Sequence, residues 1–307
     1  MTDKLNGYLA AAASAVLMGT LGVLVRQVSA GAQVVTLARL LLGAVFLAAF
    51  MALTGRIREI KGPLSLPLLL SGLFLALGIL FYIKAIHHTT LANAAFLLYL
   101  APLIATVLAY FFLRERLRPR NLVLLGTAFL GMLFILEFNF AFVRGDNWGY
   151  LYGILAGIFF SIYIVLNRMI RLEVPALTRA FYQFLSGSLV MLPFASLAPS
   201  PVSWPDFFWL AAIGFINGFL ALTLFVLSLK YLEVYEYGTI SYLEPITAAF
   251  LGWLILAEQM TLLQIAGGIL ILSGAWARLC TPGRRRPIPN PIRTGTPTGE
   301  IRCATGV

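Results

Sequence analysis

Tyr99-Leu100-Ala101-Pro102, followed by an apolar run and then Glu115, recurs 143 positions later as Tyr242-Leu243-Glu244-Pro245, an apolar run and Glu258. The same offset carries Gly131 to Gly274, and an offset of 142 carries Gly7-Tyr8-Leu9 to Gly149-Tyr150-Leu151. A stretch of about 140 residues is therefore written twice. In an apolar chain such half-length symmetry marks proteins built from two repeats around a central site.

The chain is apolar throughout. Hydrophobic residues make up 60% of it and charged residues 11%, with a mean hydropathy of +0.91. A soluble domain carries about 25% charged residues. Windows of roughly 17 to 25 apolar residues, the length that crosses a bilayer, predict ten helical segments over 7–25, 34–53, 66–86, 94–113, 121–138, 149–167, 177–197, 207–229, 238–256 and 262–277. The expected fold is an all-α membrane protein of ten transmembrane helices, with no room for a soluble catalytic domain.

The net charge of +10 resembles nucleic-acid affinity until the charges are placed. With the N-terminus inside, 18 of the 22 basic residues fall on the cytoplasmic side, and only Arg26, Arg39, Lys84 and Arg144 fall on or toward the other. The positive-inside rule then puts both termini in the cytoplasm and accounts for the basic excess without nucleic acid. Cys280 and Cys303 lie in the predicted cytoplasmic tail, where thiols stay reduced and no disulfide is expected. The first segment has a weak n-region, no obvious cleavage site and a repeat partner in the sixth, so it reads as retained rather than as a signal peptide.

Five segments per half is an odd number, so the second repeat enters the membrane from the opposite side. The repeats are inverted. The loop after Glu115 carries Arg114, Arg116, Arg118 and Arg120, whereas Gln259-Met260-Thr261 after Glu258 carries no positive charge, as inversion requires. The expected organisation is a cytoplasmic N-terminus at 1–6, a first repeat at 7–138 and an extracytoplasmic linker at 139–148. A second repeat follows at 149–277, then a disordered, basic, proline-rich tail at 278–307. Arg284-Arg285-Arg286 beside the last segment suits anionic membrane lipids or topology fixing.

Small residues at every fourth position, Gly7, Ala11, Ala15 and Gly19 in the first segment and Gly149, Gly153, Gly157 and Ser161 in the sixth, make smooth strips. Gly214 and Gly218 repeat the pattern in the eighth. Such strips serve static packing or sliding of one bundle on another.

Enzyme signatures are missing. There is no phosphate-binding Gly-rich loop and no Cys-x-x-Cys or His-Glu-x-x-His spacing. The adjacent His87 and His88 point about 100° apart on a helix, so they read as interfacial anchors rather than metal ligands. No metal, no cofactor and no catalytic group is expected. Glu244 is the outstanding polar residue, a carboxylate inside an apolar segment whose repeat partner is Ala101. It either faces a central cavity, taking up a coupling proton or pairing with a cationic substrate group, or is a protonated structural Glu beside Pro245. Pro102 and Pro245 each remove one helical hydrogen bond, so kinks at equivalent places in both halves are candidate hinges. Arg39 and Arg179 can each snorkel to a headgroup phosphate, the expected role of both, and Arg39, the deeper of the two, could instead turn inward to receive a carboxylate. Tyr82, Tyr99, Tyr163, Tyr242 and Asn217 lie within segments and are candidate linings for an amphipathic or aromatic metabolite, the alternative being lipid-facing or packing roles.

On these residues the chain resembles the EamA-type families of the drug/metabolite transporter superfamily. The resemblance rests on the ten-segment plan and two motif runs. One extends from Asn93-Ala94-Ala95 through Leu100-Ala101-Pro102 to Leu113-Arg114-Glu115-Arg116-Leu117, with Gly126 and Gly131. The other extends from Tyr242-Leu243-Glu244-Pro245 to Leu256-Ala257-Glu258, with Gly267, Gly268 and Gly274. It covers about residues 7–277. The resemblance implies an inner-membrane secondary carrier, usually an exporter of amino acids or other small metabolites, with a cavity lined mainly by segments 1–4 and 6–9. It also implies that Glu115 and Glu258 are helix-terminal structural or gating groups. Aromatic amino-acid exporters often carry Trp beside the first proline; Ala101 stands here. The reading is of a secondary-active exporter of amino acids or related amphipathic compounds working by alternating access, with a small-molecule substrate, proton coupling and membrane lipids as its partners. A monomer suffices, because inverted repeats close a path within one chain, and a dimer stays open. The alternatives are an exporter or importer of organic amines or drugs, and a membrane enzyme or channel.

Overall fold

The computed structural model describes residues 2–61, 64–89, 91–115, 119–135, 147–171, 173–197, 202–256 and 261–279. Helices run through them: α1 (Thr2–Gly19), α2 (Leu21–Val25), α3 (Ala32–Leu53), α4 (Leu66–His88), α5 (Leu91–Tyr99), α6 (Ala101–Leu113), α7 (Pro119–Ile135), α8 (Asn147–Met169), α9 (Ala176–Leu197), α10 (Trp204–Ile213), α11 (Leu222–Tyr231), α12 (Val234–Ser241), α13 (Leu243–Leu256) and α14 (Leu262–Leu279). A 3-10 turn spans Ile57–Lys61, and a π-helical segment, Gly214–Ala221, joins α10 to α11. The pairs α1–α2, α5–α6, α10–α11 and α12–α13 each form one interrupted rod. With the six uninterrupted helices they make ten spans, one for each predicted segment. Seven spans meet the length and hydropathy of a membrane crossing, and Pro119–Ile135 and Leu262–Ala277 are shorter apolar helices.

Boundaries agree closely except at the starts of span 1, which is helical from Thr2 rather than 7, and of span 9, which begins at Val234 rather than 238. Glu233, Tyr235 and Glu236 read as polar loop in sequence. In the structure Glu233 and Glu236 form a capping box that satisfies backbone donors at the start of α12, and Glu236 is fully buried. The linker at 139–146, Cys280, Cys303 and the proline-rich tail from 280 onward lie outside the described residues.

The packing pattern carries the duplication into three dimensions. Span 1 packs on spans 8 and 9, and its repeat partner, span 6, packs on spans 3 and 4. Span 2 packs on 8 and span 7 on 3; spans 2 and 7, 4 and 9, and 5 and 10 pair with their own partners. These contacts map onto one another when the halves are exchanged, which is the signature of a two-fold axis relating them. Short connections make consecutive spans antiparallel, so five spans per repeat turn the second copy over. Large side chains such as Leu53, Phe111, Phe112, Trp204 and Trp276 are more than two-thirds exposed around the outside, an apolar coat that suits lipid.

The small-residue strips lie where halves meet. A Cβ added at Gly19 would come within 2.7 Å of the Thr247 Cβ and 2.8 Å of the Glu244 carbonyl oxygen. One at Gly157 would come within 2.6 Å of the Leu97 carbonyl oxygen. Backbone stands in the way at both, so neither helix can retreat locally. Gly19→Leu is expected to lower stability by about 1–3 kcal/mol or more, as overpacking does. The readout is a reduced melting temperature of the detergent-purified protein; an unchanged value would remove the tight-packing account of this strip.

Candidate functional site

The two prolines interrupt their spans at equivalent points. Pro102 is the second residue of α6 and Pro245 the third of α13, and helical geometry lapses at Leu100 and Tyr242. A proline has no N–H, so carbonyls of the preceding turn lose their helical donors. The Tyr242 hydroxyl donates to the Tyr99 carbonyl at 2.9 Å, so one repeat supplies the donor that the other repeat's break lacks. Tyr242→Phe is expected to cost about 1–3 kcal/mol of stability by orphaning that buried oxygen. Ligand affinity should be unaffected, because Tyr242 lies outside the cavity; a melting temperature equal to wild type contradicts this role.

Beside these breaks is a cavity between the halves with about 640 Å³ of atom-free space, of which about 50 Å³ admits the centres of water molecules. That holds a few waters, so a larger guest requires the walls to part. Span 9 presents Tyr237, Ser241 and Glu244 to it at i, i+4 and i+7, one face of an interrupted helix. Span 4 adds Leu98, Tyr99 and Pro102; span 3 adds Ile79 and Tyr82; span 2 adds Arg39. Glu244 is mostly buried and lines the cavity. With α12 starting at Val234, it lies ten residues along span 9, about 15 Å from its start.

Arg39 turns inward and is 4% exposed. Its Nε donates to the Asn217 carbonyl at 3.4 Å and its Nη2 to the Met18 sulfur at 2.9 Å. The π-helical segment that contains Asn217 widens span 8 beside Arg39, and Gly218 lets the span 2 backbone approach it closely. The Asn217 side chain donates to the Leu17 carbonyl (2.8 Å) and the Thr20 hydroxyl (3.3 Å), bracing the break between α1 and α2. Arg39 and Glu244 act on each other through space and Tyr99 lines the cavity with them, but Arg39 and Glu244 form no ion pair within 4.0 Å.

The structure thus brings Arg39, Tyr82, Tyr99, Pro102 and Glu244 together. It does not bring Tyr163, Asn217 or Tyr242 to the cavity. Tyr163 stacks on Phe225 with centroids 5.1 Å apart and donates to Gln183, which bonds Ser71 and Asn167 in a buried neutral network. Asn217 and Tyr242 are consumed by the backbone contacts above. Pro245 is buried behind Glu244, at the interruption rather than on the lining. Arg179 does not snorkel: it is 1% exposed and donates to the Val174 and Arg171 carbonyls. Ser241 lies within the predicted ninth segment, whereas Tyr237 joins it on the same face only because span 9 begins four residues earlier. Phe160 and Phe225 had no polar signal to distinguish them from packing residues.

Both ends of the bundle are tied across the halves. At the end that carries Lys4, Glu115 receives Arg168 at 3.3 Å and the Val234 backbone N–H at 3.2 Å, while Arg168 also donates to the Leu229 carbonyl. Both charged side chains are less than 10% exposed. Burial pushes the Glu115 carboxyl above its ordinary range, and the Arg168 guanidinium opposes that. Lys4 pairs with the buried Glu236 at 3.0 Å, and Tyr8 donates to the same oxygen. At the opposite end Asp206 accepts from the Ser29 backbone and hydroxyl and from Ser203. His88 lies edge-on to Tyr152 there, with Lys84 over the same ring, and no group of metal-ligating side chains occurs among the described residues. Glu258 lies outside the described residues. A more open crevice between spans 1, 9 and 10, lined by Leu9, Ile269, Leu272 and Trp276, is apolar and faces the lipid side; it offers no polar anchor to a metabolite.

The EamA-like transporter family model matches residues 5–137 and 147–278, one match for each repeat. The chain is 32% identical over 277 residues to an uncharacterized transporter of Archaeoglobus fulgidus, covering 88% of this chain and 96% of that one. It is 30% identical to the threonine/homoserine exporter RhtA of Escherichia coli, over 76% of this chain and 77% of that one. An S-adenosylmethionine uptake transporter of Rickettsia felis is 24% identical over 66% of this chain and 68% of its own length. A protein of known crystal structure superposes with a TM-score of 0.77 at 20% identity, over 91% of this chain and 97% of that one, which shows the shared fold. Two matched repeats, the exchange symmetry of their packing and a cavity where they meet make one case: this chain is a multi-pass membrane protein that belongs to the EamA-like transporter family.

Proposed function

We propose that the chain is a secondary-active carrier that exports amino acids or related amphipathic metabolites by alternating access. The observation that carries this reading is the cavity itself. It lies between two oppositely oriented halves, beside helix interruptions that recur in both, with an Arg and a Glu on different halves of a wall that is otherwise apolar and hydroxyl-bearing. The exporter named among its relatives supports amino acids and outward direction. The basic residues at the Lys4 end support a cytoplasmic placement of that end and of both termini in a bacterial-type inner membrane. Glu244 is the coupling residue, exchanging a proton as the cavity changes sides. A monomer supplies the whole pathway, since both halves and both end ties belong to one chain.

Counterflow tests this reading. Proteoliposomes loaded with unlabelled amino acid are expected to accumulate the labelled compound transiently and saturably. No saturable exchange with amino acids, amines or nucleosides would contradict a carrier. A second reading, export of organic amines, draws on the cluster of Tyr82, Tyr99 and Tyr237 around Glu244, which suits a cation.

A further inference from the structure

We infer that the cavity recognises a zwitterion as a unit, with a carboxylate on Arg39, an ammonium group on Glu244 and an apolar side chain against Leu21, Phe160 and Phe225. The inference rests on the carrier reading above and deepens it to a binding mode. Its basis is an account of hydrogen bonds left unmade. A guanidinium has five N–H donors. In Arg39 one goes to the Asn217 carbonyl and one to the Met18 sulfur, a weak acceptor, so three have no acceptor among the described residues. Glu244 lines the same cavity, with Tyr99 beside it. Each is a buried charge with hydrogen-bonding capacity left over, and the two are not paired directly.

Such charges are costly in a protein interior unless each is matched. Without a ligand the cost is met in part through the attraction between Arg39 and Glu244. A zwitterion satisfies both groups at once and adds no net charge to the cavity. An amine alone leaves Arg39 unmatched, and a carboxylate alone leaves Glu244 unmatched. Arg39 stands on α3 of the first half and Glu244 on α13 of the second, so a ligand bound to both bridges the elements that must move together. Leu21, Ile79, Leu98, Phe160 and Phe225 make the apolar part of the wall and offer nothing to a charged side chain.

The test uses the purified full chain, with leucine, 3-methylbutylamine (leucine without its carboxylate) and 4-methylpentanoate (leucine without its amine) as probes. Thermal stabilisation and counterflow are read for each. Leucine is expected to bind more tightly than either analogue by on the order of 100-fold. In Arg39→Gln the difference between leucine and 3-methylbutylamine should vanish, and in Glu244→Gln that between leucine and 4-methylpentanoate should vanish. These are ratios within one variant, so a general loss of stability does not mimic them. Equal or tighter binding of the amine or the acid by the wild type, with saturable counterflow, overturns the zwitterion inference and leaves the carrier standing. A response to none of the three probes also overturns it. Absence of counterflow across the wider panel of amino acids, amines and nucleosides is the separate result that removes the carrier reading itself.

Discussion

Arg168→Gln is expected to open the cavity toward the Lys4 end. The measure is labelling by a membrane-impermeant maleimide of Ser241→Cys, made in a background lacking Cys280 and Cys303, with the reagent supplied from that side. The Arg168 guanidinium ties the end of span 6 to Glu115 after span 4 and to the Leu229 carbonyl in span 8, and Glu115 holds the first amide of span 9. Four spans from both halves therefore converge on one buried ion pair. Removing one partner of such a pair costs about 3–5 kcal/mol because the other charge is left buried and unmatched. In an open conformation water reaches Glu115, so most of that cost falls on the closed state alone. A shift of even half this size raises the open population on the order of 10-fold, and labelling should rise with it. Exchanging the charges, Glu115→Arg with Arg168→Glu, should restore protection in part. Lys4→Gln should do less, because Lys4 is 29% exposed and exposed pairs contribute little. Labelling of Arg168→Gln at the wild-type rate would show that the pair does not govern access. The repeat offsets carry Arg168 to Arg26 and Glu115 to Glu258, so Arg26→Gln is expected to bias accessibility toward the opposite side.

Glu244→Gln is expected to reduce transport by on the order of 100-fold or more while the protein stays folded. Glutamine keeps the shape and size of the side chain, so packing of span 9 is retained. What is lost is the carboxylate that, among the described residues, the cavity wall takes from Glu244 alone, and with it the electrostatic partner of Arg39. An unmatched buried guanidinium then favours a cavity that stays hydrated and open, which slows the closed-cavity step of the cycle. The counterflow rate at two pH values checks both parts of the role. The rate should fall sharply, and whatever remains should lose its pH dependence, since the group that exchanges the proton is gone. A rate and pH profile equal to wild type would remove Glu244 from substrate binding and coupling alike.

The architecture was legible because bilayer crossing demands long apolar runs and the duplication recurs at a constant offset. Ten segments, their inversion and the paired proline breaks all follow from those two facts. The site was legible where chemistry was out of place: a Glu and an Arg inside apolar runs are costly enough to predict a shared cavity. It was obscure where the same residue type has several uses. Tyr99 and Tyr242 occupy equivalent positions, yet one lines the cavity and the other caps its partner's carbonyl, because only Tyr99 faces Glu244. Asn217 reads as a substrate amide; the π-helical segment turns it into a brace for span 1 and a seat for Arg39, and no periodicity signals a π turn. Glu236 reads as loop and is a fully buried partner of Lys4, a pairing across 232 positions that no local pattern reveals.

The central claim is that one cavity between inverted halves is reached from each side in turn. Labelling of Ser241→Cys in sealed vesicles of either orientation tests it most directly. The account predicts that impermeant reagent reaches the thiol from both sides, that saturating substrate protects it, and that no uncoupled leak of small solutes accompanies the reaction. Reaction from one side only under every condition, or free solute passage while both sides are reactive, would contradict it.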